Sequence, residues 1–240
     1  MALPYDSLLI TCEHGSNRIP ARYRYLFASD AAVLHTHRAL DIGALAVAKI
    51  LAKLVDAPLF HSTTSRLLID LNRSLHHKGA YSEFTGRLAE AERTAICSRY
   101  YTPYRTNVEA WIRSQTLRKK RVLHLSIHSF TPQLNGDVRN AEIGLLYDPR
   151  RKAECYLAAQ IHERIKPQAK AEGWRIRRNY PYHGASDGFT THLRRLFAPS
   201  AYLGLEIEMN QHVVAAATGQ KKMANLWVQS LPLRSNPKIT

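Results

Sequence analysis

The sequence predicts an α/β fold class: a single domain with a mostly parallel or mixed central sheet flanked by helices on both faces. Three observations predict it. Short apolar runs of strand length alternate with longer segments of helical periodicity along the chain, as expected of a sheet covered on both sides. Hydrophobic residues make up 45% of the 240 residues and charged residues 22%, enough apolar content to bury a sizeable core. No internal repeat, low-complexity tract or Pro/Gly/Ser linker divides the chain, so residues 1–240 read as one domain.

The elements follow in order. Ser7 to Cys12 is a short apolar strand that runs into a turn-prone stretch, Glu13 to Arg18. A helix is expected from about Asp41 to Val55, with Ile42, Leu45, Ile50 and Leu54 mainly on one side and Asp41 favourably placed in its first turn. Pro58 stops it, and Leu59 to Ser62 and Arg66 to Leu71 read as strands. Residues from about Leu88 to Gln115 read as helical with a break at Pro103. Val122 to His128 is a strand that sets Leu123, Leu125 and Ile127 on one face and His124, Ser126 and His128 on the other. Glu142 to Tyr147 is a strand, and Lys152 to about Ala171 a helix bent by Pro167. Trp174 to Arg178 follows as a strand and Asp187 to Phe197 as a short helix. Tyr202 to Asn210 is the last strand and Gln220 to Leu231 the closing helix.

Composition excludes several classes. No apolar run approaches the roughly 20 residues of a membrane span. The start lacks a basic region followed by a long apolar stretch, so no secretory signal is expected. Three scattered cysteines without a CxxC pair argue against a disulfide scaffold or a cysteine-rich zinc site, and a cytoplasmic location is expected. Lys plus Arg number 34 against 19 Asp plus Glu, a formal charge of +15, with clusters such as Arg118-Lys119-Lys120-Arg121. Such a surface steers anionic substrates or nucleic acid. No helix-turn-helix, zinc finger or RNP-like motif accompanies the clusters, so nucleic acid stays the alternative.

The unusual polar residues fall where strands end. In an open α/β sheet, ligands bind beyond the carboxyl ends of the strands. Glu13 and His14 follow the first strand, Asp70, Asn72 and Arg73 close another, and His128 closes a third. Glu206, Glu208 and Asn210 close the last on one face. His14 and His128 suit zinc, which in catalytic sites keeps three protein ligands and an open position. Asp41, Glu13 and Glu208 are the candidates for the third ligand. His162-Glu163 begins like a metalloprotease helix motif but lacks the second histidine.

These residues stand in recognisable blocks. Cys12-Glu13-His14-Gly15-Ser16-Asn17-Arg18-Ile19-Pro20, Asp41-Ile42-Gly43-Ala44, Ser65-Arg66-Leu67-Leu68-Ile69-Asp70-Leu71-Asn72-Arg73-Ser74, His128-Ser129-Phe130-Thr131-Pro132 and Leu205-Glu206-Ile207-Glu208-Met209-Asn210 resemble the N-formylglutamate amidohydrolase family. They occur in the family's order over nearly the whole chain. The family is similar to the zinc carboxypeptidases and acylamino-acid deacylases, so the resemblance implies a zinc-exopeptidase (phosphorylase/hydrolase-like) fold and one divalent zinc. It implies His14, Asp41 and His128 as metal ligands. Asp41 is preferred to Glu13 because the acid opening the next helix supplies the ligand that those enzymes carry close to their first histidine.

Glu208 is then the expected general base and acid, with Glu206 the runner-up. A departing amide nitrogen must be protonated, and a carboxylate beside an acidified water can carry that proton. Asn72 and Arg73 are expected to hold the substrate carboxylate, Arg73 by a two-pronged contact that lysine could not copy. Arg66 is expected either to stabilise the tetrahedral oxyanion or to form a buried ion pair with Asp70. Thr190, Thr191 and His192 are weaker candidates for the pocket wall. The implied reaction is hydrolysis of an N-acyl amino acid, N-formylglutamate to formate and glutamate in the family's named case, with a small anionic acyl-amino acid as substrate. The alternatives are a peptidase or other N-acyl amino-acid deacylase, or a basic nucleic-acid-binding protein with an unused site. Glu13-His14 stands where many members have Pro-His, and Asp41-Ile42 where typical members have Asp-Trp, so the chain resembles a divergent branch.

Overall fold

The structure is a computed structural model and describes residues 4–232. In chain order the elements are β1 (Ser7–Cys12), a 3-10 segment (Ala21–His35), α1 (Ala44–Val55), β2 (Leu59–His61), α2 (Glu90–Ile96), α3 (Thr102–Leu117) and β3 (Val122–Phe130). A small hairpin of β4 (Gln133–Leu134) and β5 (Asp137–Val138) follows, then β6 (Ile143–Leu146), α4 (Lys152–Ala171), β7 (Ile176–Arg178) and α5 (Phe189–Leu196). The chain closes with β8 (Tyr202–Asn210), α6 (Gln211–Val214) and α7 (Ala217–Ser230).

The central sheet has six strands in the order β2-β1-β3-β8-β6-β7. Four strands, β2, β1, β3 and β8, run parallel; β6 is antiparallel to β8, and β7 is parallel to β6. The expected α/β class is therefore the observed one, with a mixed sheet. From β1 the chain goes to β2 on one side and returns to β3 on the other. The carboxyl ends of β1 and β3 thus flank the switch point at which ligands enter open α/β sheets.

Strand alternation divides the side chains between two layers. Ile10, Leu123, Leu125, Ile127, Leu203, Leu205 and Ile207 pack with α1, α4 and α7 in the main core. Leu9, Val122 and Tyr202 pack on the opposite side with Val108 and Ile112 of α3 and Phe189 and Leu193 of α5. His124, Ser126 and His128 lie on that second side, buried in a strand with no exposed residue. A separate cluster gathers Tyr23, Phe27, Leu67, Leu68, Ile69, Ile96 and Tyr101 from irregular chain and helix ends.

Several expectations need correction. Arg66 to Leu71 is not a strand but a chain of turns, because Ser65, Asp70 and Ser82 satisfy its backbone locally. Ser82 Oγ donates to Leu67 O, Leu68 N donates to Ser65 O, and Asp70 Oδ1 accepts from Asn72 N. Its consecutive apolar residues are buried in the separate cluster instead of a sheet. Helix α1 begins at Ala44, so Asp41 precedes it and is not in its first turn. Its buried stripe is Ala44, Val47, Ala48, Leu51 and Ala52, with Leu45, Ile50 and Leu54 only partly buried beside it. Each fully buried Val or Leu in that stripe stabilises by about 1.5–3 kcal/mol. Pro103 does not break the helical run, because it falls in the first turn of α3, where a missing N–H is harmless. The irregularity lies just upstream, in a π turn at Cys97–Tyr101. Helix α4 spans its expected residues with Pro167 inside it.

Candidate functional site

The two histidines are delivered by the ends of neighbouring parallel strands. His14 sits two residues past β1, and its carbonyl accepts the Asp41 N–H at 3.0 Å. That bond laces the chain leaving β1 to the turn before α1. The turn depends on Gly43, which has φ of +80° and lies so close to Val214 that an added Cβ would sit 2.1 Å from its carbonyl oxygen. Only glycine fits both conditions. Ser129 completes the tie, donating its N–H to Asp41 Oδ2 and its hydroxyl to Ile42 O.

The side chains of His14, Asp41 and His128 converge. Asp41 Oδ2 lies 2.8 Å from His128 Nδ1 and 3.3 Å from His14 Nδ1. The ring centroids are 5.0 Å apart, and one donor atom from each of the three residues lies within 4.8 Å of the others. All three residues are buried. The opposite nitrogens are held from behind. His14 Nε2 is 2.7 Å from Asp70 Oδ1, and His128 Nε2 is 2.8 Å from Ser126 Oγ and 3.3 Å from Glu13 Oε2. Each imidazole is therefore oriented by a carboxylate on its far side, the arrangement that fixes ring pose and raises basicity in metal sites.

This geometry separates Glu13 from Asp41. Glu13 lies behind His128, where Tyr104 and Ser126 hydroxyls donate to its two oxygens at 2.9 and 2.6 Å. Asp41 lies in front, between both Nδ1 atoms.

The charges are balanced by proximity. Burial alone would raise the Asp41 carboxyl, but His14 and the hydrogen bonds from both imidazoles hold it well below the ordinary range. Burial would lower His128, but its bonds to Asp41 and Glu13 hold it well above. The cluster without a metal thus attracts positive charge. Two imidazoles and a carboxylate around one point form a donor set that suits zinc, and metal binding there would displace a proton.

Glu208 pairs in register with His128 across β3 and β8. It is buried, and its Oε2 has no hydrogen-bond partner among the described residues. Burial, with Asp41 and Glu206 adding to it against His128, pushes its carboxyl up to about 8. Gly144 of β6 makes room for it: an added Cβ there would lie 3.1 Å from Glu208 Cβ and 1.8 Å from Tyr180 O. Glu206 accepts the Thr190 hydroxyl, and with Glu208 it lines a cavity.

That cavity has about 300 Å³ and is lined by His14, Asp41, His128 and Glu208 together with Arg66, Asn72, Arg73 and Glu206. Arg66 donates to Asp70 at 2.8 Å and Asp41 at 3.4 Å, so it makes the ion pair and still faces the cavity. Asn72 Oδ1 accepts from Phe189 N at 2.7 Å, and Arg73 donates to Asp187 O at 2.7 Å.

Some candidates lie elsewhere. Asn210 is spent on Ala141 O and on the N-cap of α6. Thr191 and His192 are bonded to Ser186 and Glu109, and with Thr190 they stand outside the residues lining this cavity. Ser126, Tyr104 and Tyr182 were not singled out from the sequence. Ser126 had a signal, because it shares a strand face with His128; the two tyrosines had none.

Comparisons with known proteins give the family and the fold. The family model described as N-formylglutamate amidohydrolase matches residues 6–215. A solved gene product of Agrobacterium tumefaciens is 32% identical, with a TM-score of 0.78 over 93% of this chain and 88% of that one. The N-formylglutamate amidohydrolase of Ralstonia eutropha is 18% identical, with a TM-score of 0.66 over 94% of each chain. That second likeness speaks to the fold. No curated protein matches significantly.

Proposed function

This chain belongs to the N-formylglutamate amidohydrolase family, and from that premise we propose that it is a zinc-dependent hydrolase of N-acyl amino acids, with N-formylglutamate as the reference substrate. The observation that carries the proposal is the buried meeting of His14, Asp41 and His128 beside the unpartnered oxygen of Glu208. His14 Nδ1, an Asp41 oxygen and His128 Nδ1 would hold the ion. A bound zinc supplies Lewis-acid polarisation of the amide carbonyl and an acidified water.

The remaining work falls to the chain's own groups. Glu208 accepts the water's proton and returns it to the departing amine, for which a desolvated carboxylate with a raised pKa is suited. Arg73 and Asn72 hold the substrate carboxylate by charge-assisted hydrogen bonds. Arg66 faces the developing oxyanion while Asp70 fixes its position. Asp70 and Glu13 orient the two imidazoles. Residues 1–240 act as one catalytic domain in this reading. The test is hydrolysis of N-formylglutamate by purified protein, abolished by a chelator and restored by zinc. Chelator-resistant turnover, or none with zinc supplied, would refute it.

A further inference from the structure

A second, open cleft of about 590 Å³ adjoins the cavity just described, sharing Asp41, Arg66, Arg73, Ser129 and Tyr182 with it. The smaller cavity lies at the low end of ligand-site volumes, which is room enough for one acylated amino acid. The cleft triples the available space, which a formyl group and one glutamate would not use. Its wall carries Arg38, Arg66, Arg73 and Lys78 against Asp41, Asp70 and Glu83, with His37 and His77 beside them. Arg38 is paired with Glu83, and Arg66 with Asp70 and Asp41. Arg73 donates to the Asp187 carbonyl and lowers the Asp70 and Asp187 carboxyls by its charge, whereas Lys78 has no ion-pair partner among the described residues. The pKa of His37 is lowered by burial and then by Arg139, Arg38 and Arg66, with Asp41 opposing them.

Tyr182 stands half-exposed between the two spaces, with the Arg139 guanidinium 5.0 Å from its ring centroid. Its loop is pinned by Asn179 Oδ1, which accepts the N–H groups of Tyr147 and Gly184. Gly184 lies against the Tyr147 backbone so closely that a Cβ would meet it at 2.3 Å. An aromatic surface between the candidate cavity and a cleft with an unpaired lysine suits a substrate that continues past the cleaved amide.

We infer that the site takes N-acylated acidic peptides of two or more residues, whose second anionic residue lies in the cleft against Lys78. This rests on the hydrolase reading and narrows its substrate class. The cleft groups recognise negative charge and contribute to binding, while the reacting amide stays beside His14, Asp41, His128 and Glu208.

The test compares three compounds: N-formylglutamate, N-formyl-glutamyl-glutamate and N-formyl-glutamyl-glutamine. The glutamyl-glutamate compound, with one more side-chain charge, should exceed the glutamyl-glutamine one in kcat/KM by up to about fivefold, the upper size of one screened ion pair. That preference should vanish in Lys78→Glu, a substitution at an exposed position. Metal-free protein should also bind glutamyl-glutamate more tightly than glutamyl-glutamine in calorimetry, with Lys78→Glu erasing the difference. Cleavage of N-formylglutamate with no preference between the dipeptides would overturn this inference and leave the hydrolase reading intact. Calorimetric discrimination without cleavage of any compound would keep the cleft's role and remove the hydrolase reading instead.

Discussion

Two histidines on one face of β3 have opposite fates. His124 and His128 are both buried, four residues apart in the same strand. His124 is enclosed by hydroxyls, with Thr11 Oγ1 and Tyr202 Oη each 2.7 Å from a ring nitrogen. Burial pushes its pKa down to about 4, despite some support from Glu13. His128 is enclosed by Asp41 and Glu13, which hold it well above the ordinary value against the same burial. Burial therefore does not make a cation site; carboxylates at the two ring nitrogens do. The amino-end half of β3 is a neutral structural network, and the carboxyl-end half is a candidate metal centre.

The contrast can be broken most forcefully at the carboxyl end. Glu208→Gln keeps the shape of the side chain and removes its basicity, so turnover should fall by about 10²–10⁴ while metal content is unchanged. Loss of the metal in that variant would make Glu208 a ligand and displace Asp41's assigned role. Glu13→Gln should weaken metal affinity by about 10–100-fold, as expected for a group that orients a ligand from behind. Equilibrium dialysis against zinc checks it, and unchanged affinity would reduce Glu13 to a packing role.

Arg73→Lys should raise KM by roughly tenfold, the scale of one charge-assisted hydrogen bond, with kcat less affected. Steady-state kinetics on N-formylglutamate reads the split.

At the other end of the strand, His124→Leu should leave metal binding intact. It strands the Thr11 and Tyr202 hydroxyls, costing about 1–3 kcal/mol of stability, which denaturant unfolding measures. The pH dependence sharpens the difference further. The folded-state pKa of His124 is depressed below its unfolded value, so the unfolded chain binds more protons between about 6.5 and about 4. Its contribution to stability is therefore complete above that window and is lost as pH falls through it. His124→Leu should flatten that part of the stability profile; an unaltered slope would show that His124 is protonated in the fold.

Much of this frame was legible in the sequence where pattern and environment coincide. Ser7–Cys12, Tyr202–Asn210 and Lys152–Ala171 have the bounds expected of them, because apolar runs between turn residues and helical periodicity both report burial against a layer. Arg66 to Leu71 misled because its leucines are buried without a sheet, held by side-chain-to-backbone bonds that leave no periodic trace. The 3-10 segment Ala21–His35 has no repeating apolar face to read.

At the site, the residue types and the family resemblance pointed to His14, Asp41 and His128, but their separation along the chain hides their distances. That Glu13 lies behind His128 and Asp41 in front depends on strand register and on the Gly43 turn. Tyr182 is brought to the cavity by a loop whose course sequence pattern does not encode.

The account's central claim is that these three side chains ligate one zinc ion. X-ray absorption at the zinc edge of protein loaded with one equivalent reads that ligand set directly. The account predicts two imidazoles with the remaining ligands oxygen. A sulfur ligand, or a spectrum without imidazole scattering, would contradict it.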